Sequence, residues 1–355
     1  MISKYIHYIN FPVMLLWAAC LIALVLAVRA PMRGAHLKGL RFIKPFLVIL
    51  LVRLILFDNM ASWGCYFKIL SPADIGWRQK DVIIHEIKRF FKWPAQEIKY
   101  LAVGSSQTGA VYKRYADKNS DFRTFVLAGL GPMDLYLYRD YIARYSPEYI
   151  LLYLSEFDIA REPDLNLAKI APYQKQALIQ LFPDLRAIAR KYNKGMALQE
   201  MIVGEVLPEY KYSFIFKGMT YKLFQKKAPL YERGDKEPEG ILQRHLRNLQ
   251  TNLDEGAIPL NMKFLQRFLS FCEKNDFKVV IVEGQYNPLG YYERNLELNE
   301  HVREEVISVV KSYKNVQFLP RTSLPSLAPE DYEDAYHIKA SKSEDMARNI
   351  IKLVQ

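Results

Sequence analysis

Five short apolar runs punctuate the chain beyond about residue 70: Ile98–Val103, Thr124–Leu127, Tyr149–Leu154, Lys278–Val282 and Val316–Leu319. Most are continuous rather than alternating, as expected of strands buried on both faces. Between them, Met133–Tyr145, Asn261–Lys274 and Val302–Tyr313 carry apolar residues at helical spacing, and Ser341–Leu353 has the same spacing at the carboxyl end. Strands that alternate with helices predict an α/β fold, a parallel sheet of about five strands with covering helices. Ligands of such open sheets bind at the carboxyl ends of the strands.

One interval breaks the alternation. Residues 160 to 260 hold no strand-like run and are rich in Tyr, Phe, Leu, Lys and Arg, with proline breaks at Pro172, Pro183, Pro208 and Pro229. Its second half carries Lys211, Lys217, Lys222, Lys226, Lys227, Arg233 and Arg244. The interval reads as a mostly helical insertion over the carboxyl edge of the sheet. It serves either as a lid for substrate recognition or as a basic, solvated or membrane-facing cap.

The amino terminus has a different pattern. Phe11 to Val28 contains no charged residue and as a helix would be ~27 Å long, enough to span a bilayer. Cleavage as a signal peptide would fall near Ala18 and Ala19, inside the apolar run, and a lipoprotein site at Cys20 meets the same objection. A second run, Phe46 to Phe57, is apolar except for Arg53 and reads as a second span or an interfacial segment. Arg53 either snorkels or faces the transmembrane helices of a partner. Between the runs lie Arg29, Arg33, Lys38, Arg41 and Lys44, a basic loop that the positive-inside rule places in the cytoplasm. Residues 1–66 are therefore expected to anchor the protein with one or two helices and 67–97 to connect. Residues 98–355 then form the main domain, interrupted at about 160–260.

Half of the 355 residues are apolar, ample for one large core. The net charge of +11 implies an anionic neighbour: a lipid surface, an acidic polymer or nucleic acid. No nucleic-acid-binding motif accompanies it. Cys20, Cys65 and Cys272 are too scattered for a metal site or a disulfide framework. His85-Glu86 is half of a His-Glu-x-x-His zinc motif, but position 89 is Arg.

Two motifs carry candidate chemistry. Gly104-Ser105-Ser106-Gln107-Thr108 follows the first apolar run, so its serines sit in a strand-to-helix turn. Asp334-Ala335-Tyr336-His337 precedes the last helix. Each alone is compatible with a plain turn or helix cap. Together they offer a hydroxyl, a base that could take its proton and a carboxylate that could orient the base.

With these positions placed, the chain resembles the SGNH (GDSL-like) hydrolase and acyltransferase superfamily from about Ile98 to the carboxyl terminus, outside the insertion. The resemblance implies a three-layer α/β/α fold in which Ser106 is the nucleophile and Asp334 and His337 complete the triad. It also implies an oxyanion hole made by the N–H groups of Ser106 and Gly131, the latter from Ala128-Gly129-Leu130-Gly131-Pro132. The third block departs from the family pattern: in Leu154-Ser155-Glu156-Phe157-Asp158, Phe157 stands where an asparagine would donate to the oxyanion.

The anchor, the domain and the insertion are together similar to a narrower group. It includes the D-alanyl transfer protein of teichoic acid synthesis and the O-acetylation proteins of bacterial exopolysaccharides. That similarity implies a serine O-acyltransferase or esterase acting on a cell-envelope glycopolymer through an acyl-Ser106 intermediate. It would work beside a membrane-bound O-acyltransferase or another integral membrane protein, with no metal or cofactor and no nucleic acid. The implied site is the bacterial cytoplasmic membrane, with the catalytic domain on the periplasmic or extracellular side. A simple exported esterase and a non-catalytic subunit of an envelope complex are the alternatives.

Overall fold

The computed structural model describes residues 98–355 except 128, 144, 164, 166–174, 207–252 and 290–295. The expected membrane segment, the connector, Arg53, His85-Glu86 and the most basic part of the insertion lie outside the described residues. Among the described residues, no helix is long and apolar enough to cross a membrane. The chain divides into two compact units. One contains Arg78–Lys169, Gln176–Gly195 and Tyr231–Gln355; the other contains Met1–Trp77, Ile170–Lys175 and Met196–Leu230.

The first unit is built on a sheet. Strand β1 (Tyr100–Gly104) leads into helix α1 (Ser106–Lys118), then β2 (Phe122–Val126) and two short helices, α2 (Pro132–Leu137) and α3 (Arg139–Ala143). Strand β3 (Tyr149–Leu154) runs into the short helix α4 (Glu156–Ile159). Helices α5 (Lys175–Lys191) and α6 (Gly195–Val206) follow, α6 lying almost wholly in the second unit. The chain then returns through α7 (Ile258–Lys274), β4 (Lys278–Glu283), α8 (Leu296–Val310), β5 (Val316–Leu319) and α9 (Ala340–Val354).

All five strands are parallel, in the order β2-β1-β3-β4-β5. The chain first winds outward from β1 to β2 and then restarts on the other side with β3. Right-handed crossovers therefore put α1 and α7 on opposite faces. The reversal leaves a crevice at the carboxyl ends of β1 and β3, the switch point where open α/β sheets place ligands.

The central strands β1, β3 and β4 form because both of their faces are covered. Tyr100, Ala102, Leu151, Tyr153, Val280 and Val282 share one core cluster with Val111 and Tyr112 of α1 and with Met346, Ala347, Ile350 and Ile351 of α9. The alternate positions Leu101, Val103, Ile150, Leu152, Val279 and Ile281 are buried too, and α7 packs against β4 and α2. Each fully buried Leu or Phe adds about 1.5–3 kcal/mol. Helix α9 is further pinned to α1 by the Ser343 hydroxyl, which donates to Val111 O at 2.9 Å.

Two expectations change in detail. The helical pattern over Met133–Tyr145 resolves into α2 and α3, interrupted at Tyr138, whose N–H bonds back to Asp134 O. Pro183 does not break the insertion. Helix α5 runs through it, forgoing one backbone hydrogen bond, a disruption of about 3 kcal/mol. Burial of Leu181, Leu185, Ile188 and Ala189 offsets that loss, as do ion pairs from Asp184 to Lys263 and Arg267 of α7.

Candidate active site

The turn after β1 is tight because position 104 has no side chain. A Cβ there would lie 2.0 Å from the Thr108 hydroxyl oxygen, so only glycine lets α1 start directly at the strand end. Ser105, extended at φ −75° and ψ −172°, caps the helix, and Ser106 is its first residue. The Ser106 N–H therefore belongs to the unsatisfied first turn of a 13-residue helix, where the helix dipole favours negative charge. Next to it, the buried Gln107 donates to Ser155 Oγ at 3.2 Å, tying the start of α1 to the end of β3.

The loop before α9 carries the second motif. Asp334 Oδ1 accepts from the N–H groups of Tyr336 at 2.9 Å and His337 at 2.8 Å. Its other oxygen meets His337 Nδ1 at 2.7 Å. One carboxylate thus folds the turn and aims the ring. Asn287 holds this loop from outside: its N–H donates to Ala335 O at 3.0 Å and its amide to Asp334 O at 3.3 Å.

His337 Nε2 lies 2.8 Å from Ser106 Oγ. An ionised carboxylate only accepts, so Nδ1 carries the ring proton and Nε2 is left to accept from the hydroxyl. Asp334, His337 and Ser106 form one continuous line. Asp334 is 8% exposed while Ser106 and His337 are half-buried, so the line runs from the interior towards solvent. Tyr336 stacks on Phe157 with ring centroids 6.3 Å apart and lies beside the His337 ring. Burial pushes the Tyr336 hydroxyl up to about 12, with Asp334 and Asp158 adding to the shift and Arg161 opposing it.

No protein-family model matches this chain, and no curated protein matches it in sequence. Among solved structures, a protein from Streptococcus pneumonia, provisionally named a platelet activating factor, is similar over 91% of this chain and 100% of its own, with 8% identity and a TM-score of 0.37. A likeness at that level says nothing about chemistry. The site has to be read from its own atoms.

The expected oxyanion positions are arranged differently from the triad. Gly131 caps α2, and its N–H donates to Asp134 Oδ2 at 2.9 Å. It is therefore committed within its own turn. Phe157 faces Tyr336 and offers an aromatic ring with no donor. Ser155, considered from sequence as part of the departing third block, is also engaged: its hydroxyl donates to Asp158 Oδ2 at 2.8 Å.

A second charged cluster lies at the same edge, and the sequence did not announce it. Arg321, just beyond β5, donates from Nε to Glu283 Oε1 at 2.9 Å and from its backbone N–H to Glu283 Oε2 at 2.8 Å. It also pairs with Glu156 at the start of α4. Tyr286 donates to Glu156 Oε2 at 2.5 Å, and Arg303 of α8 reaches Glu283 at 3.2 Å. Glu156 and Glu283 are 4% and 5% exposed. Burial pushes the Glu156 carboxyl up, and Arg321 and Tyr286 pull it back. Burial also opposes the Arg321 charge, yet Glu156 and Glu283 outweigh it and hold the guanidinium above its ordinary value. A cavity of about 20 Å³, room for one water molecule, lies against this cluster between Glu156, Glu283, Arg303, Val306 and Phe318. The one signal available was a glutamate placed directly at the end of a buried apolar strand. Among the described residues, no group of three or more His, Cys, Asp or Glu is placed to hold a metal ion.

Proposed function

We propose that this protein is a serine esterase or O-acyltransferase of SGNH type that works through an acyl-Ser106 intermediate. The observation that carries the reading is the 2.8 Å contact between His337 Nε2 and Ser106 Oγ, backed by Asp334 at 2.7 Å. Nothing in the packing of the core requires a serine, a histidine and an aspartate in line at the mouth of the switch-point crevice.

The chemistry follows from the geometry. Ser106 Oγ attacks the acyl carbonyl carbon and its proton passes to His337 Nε2. The carbonyl oxygen takes up negative charge at the amino end of α1, beside the Ser106 N–H. Collapse breaks the bond from the acyl carbon to the donor oxygen, and that oxygen leaves with the proton from Nε2. An acceptor hydroxyl, or water, then gives its proton to Nε2 and attacks the acyl-serine, and collapse breaks the bond from the acyl carbon to Ser106 Oγ, which leaves with the proton from Nε2. Asp334 holds the ring in the Nδ1–H tautomer throughout and stabilises the imidazolium.

The finer reading is an O-acyltransferase for a cell-envelope glycopolymer, anchored by residues 1–66 at the bacterial cytoplasmic membrane and acting outside it beside an integral membrane acyl carrier. It draws support from the apolar run Phe11–Val28, the basic loop that follows it and the basic insertion. A non-catalytic reading is favoured by a specific pair of observations, Phe157 and the engaged Gly131 N–H. Rapid mixing with an activated acetyl ester, acid quench and intact-mass analysis separates the two. The enzyme reading expects one acetyl group on the Ser106 peptide in the wild type and none in Ser106→Ala. Equal acetylation of both proteins, or of neither, rejects it.

A further inference from the structure

The acyl transfer proposed above would generate an oxyanion for which the expected donors are short by two. Gly131 N–H is bound to Asp134, and Phe157 has nothing to give. That leaves the Ser106 N–H, whereas loss of a single donor from such a site already costs about 10²–10³ in rate.

A cation lies against the same two segments. The Arg161 guanidinium lies over the Phe157 ring, 5.1 Å from its centroid, and Nη2 donates to Gly129 O at 2.5 Å. A Cβ on Gly129 would come within 3.0 Å of Nη1, and one on Gly131 within 3.9 Å of Nη2. Gly129, at φ +64°, combines a left-handed backbone with the lack of a side chain, and both are what admit the guanidinium. Arg161 thus fills the space between the loop after β2 and the turn after β3. Both flank β1, whose carboxyl end delivers Ser106. The Phe157 ring beneath it stacks on Tyr336, which lies beside His337, so the guanidinium and the base border one aromatic wall.

Arg161 is also held in place. Its backbone bridges to Leu253, and Asn261 fastens the segment by donating to Ile159 O at 2.7 Å and Arg161 O at 2.8 Å. Among the described residues its side chain has one hydrogen-bond acceptor, Gly129 O, out of five N–H groups. Its counter-charge is the buried Asp158, whose Oδ2 accepts from Ser155 N–H and Oγ at 3.0 and 2.8 Å.

We propose that Arg161 is a catalytic residue that donates a charge-assisted hydrogen bond to the acyl oxygen in the tetrahedral state, in place of an amide at position 157 and the N–H of Gly131. The proposal rests on the acyl-Ser106 reading. An arginine suits the task because charge-assisted bonds are roughly twice as strong as neutral ones, and one such donor substitutes for two weaker ones.

The test uses p-nitrophenyl acetate, a small neutral ester with no anionic group for an arginine to bind. Arg161→Met should lower kcat about 10²–10³-fold and leave KM within about threefold, as for an interaction made only in the transition state. Arg161→Lys keeps the charge but loses the fork, and should fall in between. Phe157→Asn placed in the Arg161→Met protein should restore kcat at least about tenfold by returning an amide donor, a rescue that a merely structural role for Arg161 would not show. Should Arg161→Met fail to fold, Arg161→Lys with and without Phe157→Asn carries the same test. Wild-type turnover that depends on Ser106 but survives Arg161→Met with kcat within about threefold overturns this proposal alone. A rise confined to KM does the same and makes Arg161 a binding group. Absence of Ser106-dependent turnover in the wild type overturns the proposal together with the acyl-Ser106 reading.

Discussion

Two polar constellations share the carboxyl edge of the sheet. The cluster of Glu156, Glu283, Arg321 and Tyr286 is buried, and each carboxylate is bound by more than one partner. It ties together the ends of β3 and β4 and the segment after β5. The line Asp334–His337–Ser106 is buried only at its carboxylate end and terminates in a hydroxyl at the crevice. Charge density is greater in the first cluster, yet it has neither a nucleophile nor a direction. The second has few charges, but each bond points to the next and the last atom faces solvent. A saturated network holds strands in place, whereas an ordered line ending in an open nucleophile can do chemistry.

That contrast breaks most easily at Ser106. Ser106→Ala should lower esterase activity by up to about 10⁶-fold while leaving the thermal midpoint near that of the wild type; steady-state hydrolysis and a melting curve check both halves. If activity survives, the line has no chemical direction and the two clusters are alike. Asp334→Asn tests the tautomer argument. An amide at Oδ2 can present a donor to Nδ1, favour the wrong ring tautomer and cost about 10⁴-fold in kcat, measurable with the same ester.

The saturated cluster should respond in the opposite sense. Arg321→Met leaves Glu156 and Glu283 buried without their shared cation, and removing one partner of a buried pair costs about 3–5 kcal/mol. Urea unfolding should show that loss, while kcat per folded molecule falls little. A variant as stable as the wild type but inactive would move Arg321 into the catalytic group. The smallest effect concerns the turn that presents Ser106. Gly104→Ala forces a Cβ against Thr108 and should cost about 1–3 kcal/mol as local overpacking. Gly104→Ala combined with Thr108→Ala should recover part of the loss in the same unfolding measurement.

The sheet was legible in the sequence largely because its central strands β1, β3 and β4 are buried on both faces and so appear as apolar runs. Tyr149–Leu154 and Val316–Leu319 match β3 and β5 to the residue, and the ends of the others shift by at most two positions where ladder pairing, not hydrophobicity, sets the boundary. Ser106, Asp334 and His337 could be picked out because each motif is local: a strand ending at Gly104, and a turn in which one carboxylate reaches a histidine three residues on. Arg161, Asn287 and the Glu156–Glu283–Arg321 cluster carry no such signature. Their places depend on which loops meet across the sheet edge, with partners separated by many tens of residues. The role of Gly131 was hidden for another reason. Asp134, three residues later, takes its N–H in a capping box. Pro183 was misread as a break because local propensity was outweighed by burial of the helix around it.

The claim that Ser106 is an activated nucleophile is tested most directly by its reaction with a fluorophosphonate probe, with the adduct mapped by mass spectrometry. The account predicts a single adduct on Ser106 in the wild-type protein, none in Ser106→Ala and much slower labelling in His337→Ala. Labelling that persists in Ser106→Ala, or a folded wild-type protein that remains unlabelled at Ser106, would contradict it.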